Sequence, residues 1–338
     1  MKLAGAKRAV GLEIDTGIAR AVEVSGTPDN PRLVNMAGVE LAPGAIEEGM
    51  VVQPREVGEA LIELWTSGEI KHRQVLLGVA NQAVLVRYAT IPKVPPDKLG
   101  NIIRFQAQES LPIPLESVVM DYQIIGEIEE EGRTVFEVLL VAARRDMLEG
   151  FLEALSIAKL EPDDIDVSTL ALIHTLPEKA MDRTVAIVNI ANGLSNILVS
   201  DHGRPRMARL VSYKLKDLAD GLGCSLEDIL SDQVYKAGNA VQVFDRWSES
   251  VVAETRSSLT YYQNQASASE LEAIILNGRG ARLRGIAGKL EAELELPVRI
   301  VNPFAAYKNA DEKNLGSGID AVEYAICAGL ARRGLEGS

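Results

Sequence analysis

Aromatic residues and cysteines are scarce in this chain. Only 4% of its 338 residues are Phe, Trp or Tyr, and its two cysteines, Cys224 and Cys327, lie far apart and outside any CxxC spacing. The three histidines are scattered and show no metal-ligand spacing. We therefore expect no disulfide framework and no metal site, and the chain fits a reducing compartment.

Basic residues are fewer than acidic ones, and long apolar runs are missing. Thirty-five Lys and Arg stand against 48 Asp and Glu, a formal net charge of −13, with no local basic stripe. Nucleic acid is therefore disfavoured as a partner, because phosphate binding needs clustered positive charge. No segment reaches the ~20 consecutive apolar residues of a membrane helix, and residues 1–10 lack a signal-peptide core. We expect a cytoplasmic protein that makes no direct membrane insertion.

Aliphatic residues are nevertheless abundant. Hydrophobic residues make up 47% of the chain, enough for two domains with Val, Ile, Leu and Ala cores, which favours an α/β fold. Residues 8–25 and 32–41 predict a three-strand meander. Residues 54–65 have the apolar spacing of a helix, and residues 75–80 form an apolar run typical of a buried strand.

Residues 82–137 differ from the preceding segment in their sequence pattern, and we interpret them as an inserted subdomain. A strand at 83–91 precedes an amphipathic helix, which the prolines of LPIP at 111–114 must end because neither can donate a backbone hydrogen bond. Two further strands, at 118–126 and 134–143, flank an acidic hairpin that we interpret as a solvated loop tip.

The opening hairpin pattern returns later in the chain. Residues 183–200 again show two apolar runs around a turn, and the two stretches align Glu13 with Asn189 and Gly17 with Gly193. Such similarity predicts an internal duplication. Chance is the alternative, since hairpins commonly share glycine turns and Val/Ile strands.

Two facing hairpins and a later glycine-rich turn make a candidate phosphate site. Backbone N–H groups of tight turns can hold phosphate oxygens, and nearby carboxylates can hold Mg²⁺ through water. Taken singly, each such turn is more often only a turn. The candidate nucleotide-binding residues are Glu13, Asp15, Thr16, Gly17, Asn189, Asn192, Gly193, Ser195, Gly278, Arg279, Gly280 and Ala281, the last predicted to start a helix.

These three elements, in this order, resemble those of the actin/Hsp70/sugar-kinase superfamily. The amino-acid sequence between them resembles that of the type IV pilus assembly PilM family. The matching stretches are GLEIDTGIARAVEV at 11–24, IPKVPPDKLGNIIRFQAQESLPIPLESVVMDY at 91–122, VLLVAARRDMLEGFLEAL at 138–155 and VNPFAA at 301–306. FtsA and the cytoplasmic domain of the type II secretion L protein are similar in fold but less similar in these stretches.

The resemblance implies an α/β, actin/Hsp70-like duplicated fold of two lobes and four subdomains. Residues 1–81 and 138–181 would form the first α/β subdomain, with 82–137 as an FtsA/PilM-type inserted subdomain that binds a partner. The second α/β subdomain would comprise 182–212 and 271–338, and residues 213–270 a mostly helical subdomain mounted on it.

The candidate nucleotide site departs from the family pattern. Asp15 and Ala191 stand where the family usually has glycine, Asn189 stands where it usually has aspartate, and Arg279 interrupts a run of glycines. These changes add a carboxylate near the phosphates, remove a metal-holding charge and add a Cβ where the backbone must approach. ATP and Mg²⁺ are the ligands that the resemblance implies, and we expect their binding to be weak or lost here. We expect no catalysis, and an ion pair between Asp15 and Arg279 closing an empty cleft is an alternative.

The resemblance further implies a scaffold of a pilus assembly platform at the inner face of the cell membrane. Its partner would be the cytoplasmic N-terminal tail of a PilN-like single-span membrane protein, with relay to pilus motor ATPases. Ile103, Leu111 and Ile113 are candidate pocket residues for that tail, although core packing is the alternative for each. An active ATPase or kinase and an FtsA-like, self-associating filament former stay open. The polar C-terminus, GLARRGLEGS, predicts no membrane-binding helix.

Overall fold

The computed structural model describes residues 7–110, 113–130, 132–236, 238–265, 267–309 and 321–336. Its strands are β1 (Lys7–Asp15), β2 (Ile18–Thr27), β3 (Asn30–Glu40), β4 (Ile46–Glu47), β5 (Met50–Val51), β6 (Gln74–Val79), β7 (Val84–Pro92), β8 (Val118–Glu130), β9 (Arg133–Arg144), β10 (Glu161–Val167), β11 (Thr184–Asn189), β12 (Ser195–Asp201), β13 (Arg204–Val211), β14 (Ala273–Asn277) and β15 (Val298–Ile300). Its α-helices are α1 (Pro54–Ser67), α2 (Pro96–Ser110), α3 (Arg145–Ile157), α4 (Ser168–Ala171), α5 (Glu178–Met181), α6 (Leu215–Leu222), α7 (Ala240–Gln263), α8 (Ile286–Leu294) and α9 (Ala325–Glu336).

The first sheet has the order β10-β6-β1-β2-β3. Strands β1, β2 and β3 form the expected antiparallel meander, and β6 and β10 extend it in parallel. Helices α1 and α3 cover one face, and α1 buries the apolar positions that its spacing predicted, including Leu61 and Trp65. Burying this stripe anchors the helix, because tertiary packing rather than intrinsic propensity supplies most helix stability.

The second sheet repeats this topology, with the order β13-β12-β11-β14-β15. Here β11, β12 and β13 form the antiparallel meander, and β14 and β15 run parallel to β11. The registers also match at the ends of the central strands, because Glu13 lies opposite Gly78 and Asn189 lies opposite Asn277. The predicted duplication is therefore confirmed at the level of topology.

Residues 84–144 contribute a separate three-stranded sheet of order β7-β9-β8. Helix α2 covers one face of it, where Ile91, Leu99 and Leu140 form part of a small core of their own. Strand β9 runs unbroken through the predicted boundary between residues 137 and 138. The insert therefore shares its last strand with the segment that leads into α3.

Helices α6 and α7 pack beside the second sheet, within the region that was predicted to be helical. Trp247 of α7 is buried there, and its indole N–H donates to the backbone oxygen of Lys214 over 2.8 Å. No helix within the described ranges is long and apolar enough to cross a membrane.

The C-terminal helix α9 crosses from the second half of the chain to the first sheet. The segment 271–338, expected to belong to the second subdomain, includes α9, which packs on β1 and β2 and lies partly between the two sheets. Small residues permit this close approach. A Cβ at Gly11 would lie 2.1 Å from the backbone oxygen of Cys327, and one at Gly329 would lie 2.0 Å from that of Ala171.

Candidate functional site

The ends of β1 and β11 meet across the cleft between the two sheets. Each is the central strand of its sheet, and each runs into a tight turn that leads to an antiparallel partner. The same edge of a sheet collects the carboxyl ends of its parallel strands, which is where ligand sites of α/β proteins form. The sequence-predicted residues of the two hairpins are therefore brought together.

The side chain of Asp15 bridges the two hairpins. Its Oδ2 accepts the backbone N–H of Asn192 over 3.0 Å, and its Oδ1 accepts that of Gly193 over 3.1 Å. Oδ1 also accepts the N–H of Thr16 over 2.7 Å, and the Asn192 side-chain amide donates to the Thr16 carbonyl over 3.0 Å. Burial raises the pKa of Asp15, while the charge of Arg20 and these backbone donors act against that rise. The alternative of an Asp15–Arg279 ion pair is wrong, because the carboxylate points to the second hairpin.

Four successive backbone donors of the second turn, at residues 190–193, are engaged within the protein. Besides the two bonds to Asp15, the Ile190 N–H donates to the Asn277 carbonyl over 3.0 Å, and the Ala191 N–H donates to Ser195 Oγ over 3.2 Å. Ser195 Oγ in turn donates to the Tyr213 carbonyl over 2.8 Å. The turn's donors therefore have protein acceptors at every position from Ile190 to Gly193.

The third element packs directly against the second hairpin. Gly278 has φ of 80°, and its N–H donates to the Val322 carbonyl over 3.1 Å, while the Gly280 N–H donates to the Ile190 carbonyl over 3.0 Å. A Cβ at Gly280 would lie only 2.2 Å from Cγ2 of Ile190. The glycines here are thus needed for packing. The predicted helix start at Ala281 is wrong, because residues 279–282 form a short 3-10 helix and α8 begins at Ile286.

A buried ion cluster lies behind the first hairpin. Arg20, only 4% exposed, approaches Glu13 Oε2 at 3.6 Å and Glu323 Oε2 at 2.9 Å, and Arg282 also pairs with Glu323. Burial raises the pKa of Glu13 to about 7, against the opposing charge of Arg20. Burial also acts to raise the pKa of Glu323, but Arg20 and Arg282 lower it overall.

Sequence reasoning missed Arg20 and Glu323. Arg20 had a detectable signal, because it is a basic residue within a mostly apolar, buried stretch of β2, where the other charged residue is Glu23. Glu323 had none, since it lies 303 positions further along the chain.

These residues do not fit a phosphate chain with Mg²⁺. The turn donors that would hold phosphate oxygens already have acceptors, and Glu13 and Asp15 are engaged with Arg20 and the second turn. Asn189 is 3% exposed and carries no charge to hold a cation.

A separate open cavity of about 450 Å³ lies beside the third element, and its lining includes Tyr235, Lys236, Phe244, Arg282 and Arg284.

The three candidate partner-binding residues have different outcomes. Ile103 is 1% exposed and packs in the core of the insert with Ile91 and Leu99, so its side chain does not face a groove. Ile113 is half-buried against a second small cluster that includes Ala107 and Val118. Leu111 lies outside the described residues.

A groove of about 500 Å³ runs between the insert and the first sheet. Consecutive residues of two strands line it, Asp121–Gln123 of β8 and Asp163–Val167 of β10. Since alternate strand residues point to opposite faces, lining by consecutive residues means that the strands present their edges. Both strands are indeed edge strands of their sheets.

The groove combines an apolar floor with an acidic rim. Leu139, Val141 and Ile165 contribute to its floor. Its acidic side chains are Asp121, Asp163, Asp164, Asp166 and Glu336, and its cationic or titratable ones are Arg333 and His174. Arg333 pairs with Asp164 at 2.8 Å and with Asp166 at 3.1 Å. Asp121 and Asp163 are exposed to solvent. The groove thus carries an excess of negative charge.

Two duplicated sheets that meet at their hairpin turns define the actin-like class of α/β proteins. Solved structures at low identity show the same fold. Ethanolamine utilization protein EutJ from Carboxydothermus hydrogenoformans matches with 13% identity and a TM-score of 0.57, covering 96% of this chain and 89% of that one. MreB5 of Spiroplasma citri, bound to ADP, matches with 9% identity and a TM-score of 0.52, covering 96% and 94%.

A relative with higher sequence identity indicates the family within this class. A chain of the PilM-PilN type IV pilus biogenesis complex is 28% identical, with a TM-score of 0.84, and the match covers 97% of this chain and 99% of that one. The family model for type IV pilus assembly protein PilM matches residues 11–335. The chain belongs to this PilM family, as its sequence resemblance predicted.

Proposed function

We propose that this chain is a non-enzymatic scaffold of a type IV pilus assembly platform, which binds the cytoplasmic N-terminal tail of a PilN-like membrane protein. The acidic groove between β8 and β10 is the observation that carries the proposal. It lies between the insert and the first α/β subdomain, and it is open along two strand edges.

An extended peptide fits such a groove for two reasons. Exposed strand edges offer backbone donors and acceptors to an added strand, and an apolar floor takes up alternate side chains. The excess of carboxylates favours a tail that carries Lys or Arg, because charge complementarity selects partners and speeds their association. Through this tail the scaffold would sit at the inner face of the cell membrane and relay to pilus motor ATPases.

A synthetic tail peptide of the PilN-like protein from the same genome tests the proposal by fluorescence anisotropy. Asp163→Lys should weaken binding about fivefold, since it replaces an attractive charge by a repulsive one at an exposed site. Glu153→Lys is the matched control, because Glu153 is an exposed carboxylate of α3 outside the groove lining. If the folded wild-type protein does not bind the tail peptide, or if both variants weaken binding of the peptide equally, the groove is not the docking site.

We propose further that nucleotide binding is weak, because the turn donors and nearby carboxylates are engaged within the protein. A working ATPase or kinase is the second candidate, and specific observations favour it. The 450 Å³ cavity offers aromatic and basic side chains, and Asn277 Oδ1 and Arg279 Nε have no hydrogen-bond partner among the described residues.

Titration with a fluorescent ATP analogue and Mg²⁺ separates the two candidates. The scaffold proposal expects no saturation at micromolar ligand. A low-micromolar Kd, about −8 kcal/mol, together with steady release of phosphate would favour the enzyme.

A further inference from the structure

The contact between Asp15 and the second hairpin has the chemistry of an anion site that is already filled. Two oxygens of one carboxylate accept the successive backbone N–H groups of Asn192 and Gly193, at 3.0 and 3.1 Å. Successive N–H groups that converge on one point form the type of concavity that binds phosphate and carboxylate groups. Here the anion comes from the opposite lobe of the same chain, 177 and 178 positions away.

The occupied site leaves no room for a second anion. A Cβ at Gly193 would lie 2.5 Å from Thr16 Oγ1 and 2.7 Å from Asp15 Oδ1, so the first hairpin is in direct contact with the turn. The Thr16 N–H also donates to Oδ1, which holds the carboxylate in this orientation. An ionised carboxylate accepts these three bonds most strongly, because charge-assisted hydrogen bonds are stronger than neutral ones.

Further contacts reinforce this link on the side of the second lobe. The Leu215 and Lys216 N–H groups donate to the Ala191 and Asn192 carbonyls over 3.1 and 3.0 Å, which ties the start of α6 to the turn. The adjacent Lys214 forms an ion pair with Glu48 of the first lobe. The turn is therefore fixed from both sides while Asp15 caps its donors.

We propose that the Asp15 carboxylate is a built-in ligand of the anion site in the second hairpin, which joins the two hairpins without a nucleotide. Removing this carboxylate should expose a site for phosphate-class anions and loosen the link between the lobes. The inference rests on the proposed weak nucleotide site, and it names the group that occupies the site.

Thermal unfolding of the full chain with and without pyrophosphate tests the inference. Asp15→Gly should lower Tm by about 5 °C, since three charge-assisted hydrogen bonds are lost and their three backbone donors lose this acceptor. Asp29→Gly is the matched control, because Asp29 is exposed in the turn between β2 and β3. It should change Tm by no more than about 1 °C.

Pyrophosphate should restore part of the Tm that the substitution removes. At about 5 mM it should raise the Tm of Asp15→Gly by about 3 °C, and it should leave the wild type and Asp29→Gly unchanged relative to sodium chloride at the same ionic strength. Asp15→Ala also removes the carboxylate and leaves the site open. If Asp15→Gly does not fold, Asp15→Ala must show the same loss and the same rescue.

Two results would overturn the inference: a rise in wild-type Tm with pyrophosphate as large as that of the Asp15 variants, or Asp15 variants that are as stable as Asp29→Gly and gain nothing from pyrophosphate. The scaffold proposal is tested separately, by titrating the wild-type protein with the tail peptide. The two tests are independent, because Asp15 does not line the groove.

Discussion

The buried carboxyl of Glu13 should make the stability of this protein fall as pH rises from about 5 through 7. Glu13 is 6% exposed, and its burial raises its pKa from the ordinary 4.5 to about 7. Both folded and unfolded chains hold the proton well below pH 4.5, and both have lost it well above pH 7. Between these limits the folded state holds the proton more tightly, so the stability that this proton supplies is lost as pH rises through 7.

The size of the effect follows from the difference between the two pKa values. At 1.36 kcal/mol for each pKa unit, raising the pH from about 5 to about 8.5 should cost the folded state about 2.5 kcal/mol through this group. Glu13→Gln removes the titration but keeps the size of the side chain. Arg20 keeps Glu323 as a partner at 2.9 Å in this variant, so a lone buried guanidinium is not created.

Urea unfolding at the two pH values measures the difference directly. The stability of the wild type should fall by about 2.5 kcal/mol more than that of Glu13→Gln over this range. Glu153→Gln, which alters an exposed carboxylate of α3, should follow the wild type. Parallel pH profiles for the wild type and Glu13→Gln would refute the reasoning, because Glu13 would then have an ordinary pKa in the folded state.

Three further predictions test packing and exposure. Gly11→Ala should cost at least about 2 kcal/mol of unfolding free energy, because the new Cβ would meet the carbonyl oxygen of Cys327 at 2.1 Å; Gly100→Ala in α2, where the Cβ meets nothing within 4 Å, should be neutral or stabilising by up to about 1 kcal/mol. Equal effects of the two changes in urea unfolding would contradict this packing of α9. Replacing Glu129 and Glu130 with Ser at the tip of the acidic hairpin should change stability by less than about 0.5 kcal/mol and leave tail binding intact; weaker binding in the anisotropy titration would make the hairpin a docking site. Cys327 should resist alkylation in the folded protein, because it is fully buried and burial raises the pKa of its thiol well above the ordinary value. Mass spectrometry before and after unfolding in urea measures this, and rapid labelling of the native protein would contradict it.

Much of the local structure followed from the sequence, because its causes lie within a few residues. Alternation of apolar residues and glycine turns predicted both hairpins, and apolar spacing predicted α1 from its start at Pro54. The repeat of the hairpin pattern predicted the duplicated sheets, since a similar local sequence pattern folds into the same supersecondary unit twice.

Only the tertiary structure decided which of these elements touch. Periodicity showed that Ile103 belongs to an apolar face, but whether that face meets a core or a groove depends on strands that come later in the chain. The path of α9 onto the first sheet likewise depends on Gly11, more than 300 residues before it. The groove itself forms between two strand edges that the sequence separates.

The same limit applied to the charges at the candidate site. The sequence shows a carboxylate at Asp15, and its departure from the family pattern predicted a disturbed phosphate site. The hydrogen-bond partners of Asp15 could not be predicted from the sequence. The N–H groups of Asn192 and Gly193 reach its carboxylate only when the two sheets pack together. Backbone donors have no signature in the sequence, since every residue except proline carries one, and their direction is set by the fold.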